Sequence, residues 1–140
     1  MKLELARRLI AEARASAARR GLKPLSIVVL DAGGQVRAFE REDGASNARL
    51  RDCLRQGQRR ARAWNGVAGA MARAEQQPYF IGAVAGATGG ALVPVPGGVL
   101  VQSADGQVIG AVGITGDTSD NDAAASVDAI EAAGLVAVGD

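Results

Sequence analysis

A β-hairpin is predicted by residues 25–41, LSIVVLDAGGQVRAFER. The apolar, β-branched run 25–30 is typical of a buried strand, and apolar and charged side chains alternate in residues 35–41, as in a strand with one buried face. The two runs are separated by DAGG at 31–34, whose paired glycines can adopt the positive φ that a tight turn requires. The sequence therefore predicts two antiparallel strands.

A second hairpin is predicted towards the end of the chain. Residues 99–102 and 108–115 are both apolar and β-branched, and the turn sequence ADG stands between them at 104–106. Glycine inside a strand indicates a close approach of another backbone. Three glycines of this segment allow such packing: Gly110, Gly113 and Gly116.

Helices are predicted on either side of each hairpin. Residues 2–20 carry apolar side chains at helical spacing and are followed by Gly21, a suitable C-terminal cap. A long helix is predicted over 46–65 and a shorter one over 66–77, which Pro78 ends. After the Gly- and Ala-rich loop 82–98 and the second hairpin, a last helix begins with Ser119 or Asp120 as its N-cap, ends at Gly134, and turns Ala123, Val127 and Ile130 inward.

This order of elements predicts one α/β (α+β) domain over residues 1–140, with an antiparallel sheet flanked by helices. The 140 residues are enough for one core, and 48% hydrophobic with 22% charged residues is a globular composition. The side chains expected in the core are Leu9, Ile10, Val28, Leu30, Leu54, Val101, Ile114, Val127 and Ile130.

Composition also excludes several classes of chemistry. The chain has no His, which removes the usual general base and the usual metal ligand. Its single cysteine, Cys53, excludes an intrachain disulfide or a CxxC motif, and with no His to activate it we expect an inert buried thiol. No apolar stretch of membrane-spanning length and no signal peptide are recognisable, so we expect no membrane partner and a cytoplasmic protein.

The net charge of +1 is the balance of two oppositely charged halves. All 16 basic residues and seven acidic ones lie in residues 1–73, which gives +9, whereas residues 74–140 hold eight acids and no Lys or Arg. A basic half is typical of binding to nucleic acid or an anionic ligand, but the halves can also neutralise each other within the fold or across subunits. The aromatic content of 3% offers no stacking platform, so nucleic acid is unlikely as a partner and a homo-oligomer is expected.

Four blocks spread over the chain carry a resemblance. They are VVLDAGG (28–34), FEREDGA (39–45), PGG (96–98) and GAVGITG (110–116), and together they resemble the GlcG/HbpS family. The resemblance implies a profilin-like three-layer α/β/α fold with a five-stranded antiparallel sheet, assembly into oligomers, and binding of haem or a small metabolite.

The chain departs from the family pattern at three positions and in its lack of His. Family members commonly have Met where this chain has Glu42, Pro where it has Leu100, and Ser where it has Thr115. A family haem site with an imidazole ligand therefore cannot be transferred, although haem stays a candidate cofactor. An iron ligand would have to come from Tyr79, Met71, Cys53 or a hydroxyl.

Arg41, Glu42 and Asp43 are the first candidate site residues. Arg41 can hold a carboxylate with two hydrogen bonds, and Asp43 or Glu42 can act as acid or base. The alternative is an internal Arg41–Asp43 salt bridge that closes the hairpin.

Further candidates lie in the middle of the chain. Arg51, Arg55, Arg59 and Arg62 form a stripe at helical spacing, which either faces an anion, with Arg59 as the ligand-binding member, or is simply solvated. Tyr79 and Phe80 precede the glycine-rich segment and can line a pocket as catalytic and ligand-binding residues, or belong to the core. Gly97 and Gly98 would form a wall that lets the ligand approach the backbone.

The acids Asp117, Asp120 and Asp122 could hold a hard cation. They also stand at a predicted helix N-terminus, where carboxylates stabilise the helix dipole, and this capping interpretation is favoured. No metal site is therefore predicted.

Two classes of function remain open. The first is a binding protein for haem or another anionic small molecule. The alternative is a cofactor-independent enzyme of the acid/base lyase, isomerase or hydrolase type, acting on a small carboxylate or hydroxy-aromatic metabolite. In the second case, Asp43, Glu42, Asp31 or Tyr79 would move the proton while Arg41 or Arg59 holds the substrate. The pocket is expected where the glycine-rich segment meets the second helix and the Arg41–Asp43 turn.

Overall fold

The computed structural model of the protein describes residues 1–45 and 98–138. The predicted helices at 46–65 and 66–77, together with Leu54, lie outside these ranges. The elements of the described part are α1 (Leu3–Arg20), β1 (Ser26–Asp31), β2 (Val36–Arg41), β3 (Gly98–Gln102), β4 (Val108–Thr115), α2 (Ser119–Ala132) and β5 (Val136–Val138). Both predicted hairpins and both flanking helices are thereby confirmed, and β5 is an addition.

The five strands form one antiparallel sheet in the order β2-β1-β4-β3-β5. β1 lies inside the sheet, where Ile27 pairs with Glu40 of β2 on one side and with Ile114 of β4 on the other. Its side chains are buried on both faces, with Ile27, Val28, Val29 and Leu30 all fully inaccessible. A strand buried on both faces is typical of the middle layer of a three-layer fold.

Both described helices pack on the same face of the sheet. α1 contributes Leu9 and Ile10 to the core, α2 contributes Ile130, and the strands add alternate residues such as Val29 and Ile114. The opposite face carries a separate set of apolar side chains, here called the distal face and defined by Val28, Leu30, Phe39, Leu100 and Ala111. Of the residues expected in the core, the described ones are buried except Val127.

α1 follows its sequence pattern closely. Its buried side chains repeat at helical spacing, and Gly21 ends the helix at a φ of 65° with its N–H directed at the last-turn carbonyls. A residue with a side chain would be strained at this φ, so the glycine suits the cap. No helix in the described part of the chain is long and apolar enough to cross a membrane.

α2 differs from its prediction in two respects. The N-cap is Thr118, whose hydroxyl accepts the N–H of Asn121, and not Ser119 or Asp120. The fully buried stripe is Asp122, Ala125, Ser126, Ala129 and Ile130, so Ala123 and Val127 are only half-buried.

The physical reason lies in Asp122. Its carboxylate accepts the N–H of Asp117 at 3.0 Å and that of Gly116 at 3.2 Å, which requires Asp122 to face the protein. A buried carboxylate is tolerated when such bonds satisfy it, and the helix is therefore rotated relative to a purely apolar pattern.

The close backbone approach predicted from the glycines is present at Gly116. A Cβ atom at this position would lie 2.5 Å from the carbonyl oxygen of Pro24 and 2.9 Å from the Cα of Leu25. Glycine is therefore required for the loop after β4 to pass beside the segment that leads into β1.

Candidate functional site

Four neighbouring strands begin or finish at the same end of the sheet. Because the strands are antiparallel, the last residues of β2 and β4 lie beside the first residues of β1 and β3. Ser26 pairs with Arg41 on one side and with Thr115 on the other, so these three residues form a row across the sheet. Paired residues share a face, and the alternation from Val28 places this row on the distal face.

The adjacent row on the same face is apolar and contains two residues without side chains. Val28 pairs with Phe39 and with Gly113, and Gly113 pairs with Gly98. Strands lie about 4.8 Å apart, so the Cα atoms of Arg41 and Gly98 are separated by about 15 Å. Neither glycine carries a side chain, and they lie two and three strands away from Arg41 in the sheet.

Arg41 is exposed, and its Nη1 donates a hydrogen bond to the carbonyl oxygen of Ala45 at 3.2 Å. This bond joins the end of β2 to the turn that follows. Asp43 is exposed in that turn, and the Arg41–Asp43 salt bridge stays a prediction.

Glu42 has both carboxylate oxygens engaged on the other side of the sheet. Oε2 accepts the N–H of Leu25 at 2.8 Å, and Oε1 accepts Nε of Arg14 in α1 at 3.2 Å. Its own N–H donates to the Leu25 carbonyl at 2.9 Å. Glu42 and Arg41 are adjacent in sequence, but the structure directs them to opposite faces, so it does not bring this predicted pair together.

Asp31 stands at the opposite end of the sheet. Its Oδ1 accepts the N–H groups of Gly33 and Gln35, both at 3.0 Å, which holds the first hairpin turn. Five residues of strand separate it from Ser26, or about 17 Å at 3.4 Å per residue. It therefore cannot share a small ligand with Arg41.

The structure describes only one of the remaining predicted site residues. Gly98 lies on the distal face as described above. Arg59, Tyr79, Phe80 and Gly97 lie outside the described residues, as do Cys53, Met71 and the remaining arginines of the predicted stripe.

Two of the three acidic residues near the start of α2, Asp117 and Asp122, accept hydrogen bonds from backbone N–H groups. Asp117 accepts hydrogen bonds from Nδ2 of Asn121 and the N–H of Thr118, both at 2.8 Å, and from the N–H of Lys23 at 3.1 Å. These bonds, that of Asn121 first, lower the pKa of Asp117 to about 2. The arrangement supports the capping interpretation, and residues 1–45 and 98–138 contain no group of three potential metal-ligating side chains.

Sequence reasoning did not single out Ser26 as a neighbour of Arg41. Ser26 is fully buried at the start of an otherwise apolar strand. That polar position was visible in the sequence, but its relation to Arg41 follows only from the register of β1 and β2.

Comparison with known proteins gives one family and several similar folds. Residues 1–131 match the family described as "Haem degrading protein HbpS-like". No curated protein sequence matches significantly. The fold is similar to that of PduOC crystallised as a heme complex, with a TM-score of 0.73, 19% identity and coverage of 96% of each chain.

Two further structures share the fold. Protein ORFY of Klebsiella pneumoniae has a TM-score of 0.73 and 21% identity, with 96% of this chain and 90% of that chain covered. A double Glu-to-Asp mutant of HbpS from Streptomyces reticuli has a TM-score of 0.69 and 22% identity, with 94% and 86% covered. At these identities the likeness concerns the fold.

Proposed function

Because the chain belongs to the HbpS-like family, we propose that it is a binding protein for haem or another anionic small molecule. The observation that carries the proposal is the distal face at the Arg41 end of the sheet. There the guanidinium of Arg41 lies at the end of β2, and the next row of the same face is apolar and contains Gly98 and Gly113, which are buried and carry no side chain. The heme complex of the similarly folded PduOC supports haem as the first ligand to test.

The chemistry of this face fits the outer parts of a flat ligand with acidic groups. The half-buried side chain of Phe39 offers apolar contact, and a backbone without side chains allows a planar molecule to approach closely. The guanidinium of Arg41 can bind a carboxylate with two parallel hydrogen bonds. Its bond to Ala45 orients the guanidinium at the edge of this surface.

The residues fit the periphery of haem better than they fit its iron. On the distal face the described side chains offer an iron only the hydroxyls of Ser26 and Thr115, both buried. The other proposed ligands, Tyr79, Met71 and Cys53, lie outside the described residues. The proposal is therefore restricted to binding, with Arg41 as the partner of an acidic group.

The test is a haemin titration followed at the Soret band. We expect a saturable shift at one equivalent, and for Arg41→Ala a dissociation constant raised about tenfold or more, because a charged hydrogen bond contributes roughly 1.5–3 kcal/mol. Arg37→Ala is the matched control, since it removes the same charge from an exposed position on the same strand. Equal weakening in both variants, or no saturable binding by the parent, would contradict the proposal.

In the alternative, a cofactor-independent acid/base enzyme, Asp43 would be the acid or base. This exposed carboxylate lies two residues before Ala45 and directly follows Glu42, whose oxygens are engaged elsewhere. Thermal stabilisation by a panel of small carboxylates and hydroxy-aromatics tests it, because a ligand at a hundred times its dissociation constant adds about 2.7 kcal/mol. Stabilisation without a Soret shift favours this alternative.

A further inference from the structure

The sequence contains two Asp–Gly pairs, and both lie in exposed turns. Asp43–Gly44 follows β2, and Asp105–Gly106 joins β3 to β4. Both glycines have a positive φ, 87° and 82°. In an Asp–Gly pair the backbone nitrogen reaches the side-chain carboxyl more easily than elsewhere, because glycine has no Cβ to obstruct the approach. The two pairs are alike in sequence and exposure, so a difference in their reactivity must come from the hydrogen bonds of the two turns.

The first pair occupies the centre of its turn. The N–H of Ala45 donates to the carbonyl oxygen of Glu42 at 3.0 Å, so Asp43 and Gly44 are the two central residues of a β-turn. Positive φ at the second central residue alone is typical of a type II turn. In the part of the chain that the structure describes, the peptide unit between Asp43 and Gly44 makes no hydrogen bond. It can therefore rotate from type II to type I geometry while the bond that closes the turn stays formed.

The second pair lies one position later in its turn and is held there. The N–H of Gly106 is itself the donor that closes the turn, to the carbonyl oxygen of Ser103 at 2.9 Å. The carboxylate of Asp105 accepts a hydrogen bond from the Ser103 hydroxyl. This bond lowers the pKa of Asp105 and favours the ionised carboxylate, which is a poor electrophile. Both groups that would have to react are thus engaged with Ser103.

We propose that Asp43–Gly44 is a site of spontaneous isomerisation to isoaspartate, whereas Asp105–Gly106 is protected by its turn. The backbone nitrogen of Gly44 attacks Cγ of the protonated Asp43 carboxyl. The N–Cγ bond forms, and the hydroxyl group leaves as water with the proton of the nitrogen. Water then opens the cyclic imide. Attack at Cγ restores aspartate, and attack at the main-chain carbonyl carbon breaks its bond to nitrogen and gives isoaspartate. One water is released and one is taken up, so no oxidant or reductant is needed.

The product changes the geometry of the turn. Isoaspartate adds a methylene to the backbone between Glu42 and Ala45, whose 3.0 Å hydrogen bond closes the turn. The carbonyl oxygen of Ala45 also accepts the bond from Nη1 of Arg41 at 3.2 Å. Isomerisation therefore moves the carbonyl group that orients Arg41 at the edge of the distal face. The inference itself requires no ligand on that face.

The experiment is incubation of the full chain for several weeks at neutral pH and physiological temperature. Peptide mapping with electron-transfer fragmentation then distinguishes isoaspartate from aspartate of the same mass. We expect isoaspartate to form about tenfold faster at residue 43 than at residue 105, because reaction at 105 must first break the two hydrogen bonds to Ser103. Asp105–Gly106 is thus a matched control within the same chain. In guanidinium chloride both turns are lost, and the two rates should become nearly equal.

Two variants identify the reacting group and the protecting one. Asp43→Glu should give no isomer at residue 43, because the larger imide ring forms much more slowly. Ser103→Ala should speed the reaction at Asp105 and leave that at Asp43 unchanged, since it removes only the hydroxyl donor. Three results would overturn the inference: no isoaspartate at residue 43, equal or faster reaction at residue 105 in the folded chain, or a ratio of the two rates that guanidinium chloride leaves unchanged.

Discussion

At the end of β2, the adjacent residues Arg41 and Glu42 lie on opposite faces of the sheet. Arg41 belongs to the distal face, and Glu42 ties the hairpin to α1 through Arg14. Sequence proximity suggested that the two act together, but alternation along a strand separates neighbours. Of the three consecutive candidates, Glu42 has its carboxylate held by the N–H of Leu25 and by Arg14.

Glu42→Ala is expected to destabilise the protein by about 1–3 kcal/mol, because it leaves the N–H of the buried residue Leu25 without its acceptor. Glu40→Ala is the matched control, since it removes only an exposed ion pair with Arg14 that contributes about 0–1 kcal/mol. Urea unfolding of both variants measures the difference. Equal losses would show that the bond to Leu25 contributes nothing beyond surface charge.

At the scale of elements, α2 shows how one polar contact changes a helix. An apolar pattern alone predicted Ala123 and Val127 inward, but Asp122 takes an inward position because it caps the N–H groups of Gly116 and Asp117. α1 has no such polar anchor in its buried stripe apart from Ser16, and its prediction was confirmed. The difference is that a buried carboxylate must be satisfied, whatever the apolar pattern favours.

Thr118→Ala should cost about 1 kcal/mol of stability, the usual effect of removing an N-cap hydroxyl. Ser119→Ala, at the position expected from sequence to be the cap, should change stability by only a few tenths of a kcal/mol, because Ala suits a helix interior at least as well as Ser. Thermal unfolding of the two variants decides between the two caps, and a larger loss at Ser119 would contradict the assignment.

At the scale of the whole molecule, the described part is a five-stranded antiparallel sheet with two helices on one face. The face that carries Arg41 and the face covered by α1 and α2 are separate. Substitutions on one face therefore leave the side chains of the other face in place.

Leu9→Ala tests the core beneath the helices. The side chain is fully buried, so its truncation should cost about 2–5 kcal/mol, including the cavity that it leaves. Leu3→Ala on the same helix is the control, because Leu3 is 43% exposed and its loss should be small. Denaturant midpoints of the two variants give the comparison, and similar shifts would argue against the packing of α1 on this sheet.

The sequence by itself determined the local elements of the described part and the family. Alternation and glycine turns predicted both hairpins, and the apolar stripe with Gly21 predicted α1, because these signals depend on neighbours within a few residues. The four blocks indicated the family that the match over residues 1–131 confirms.

Only the tertiary structure decided which of these residues meet. The row of Arg41, Ser26 and Thr115 depends on the register between three strands, and a shift by one residue would move every side chain to the other face. The rotation of α2 depends on the loop at Gly116, which its own apolar pattern does not contain. Contacts between distant segments depend on how the strands pair and on which groups supply hydrogen bonds to buried polar atoms. A pattern within a few residues of sequence does not predict either.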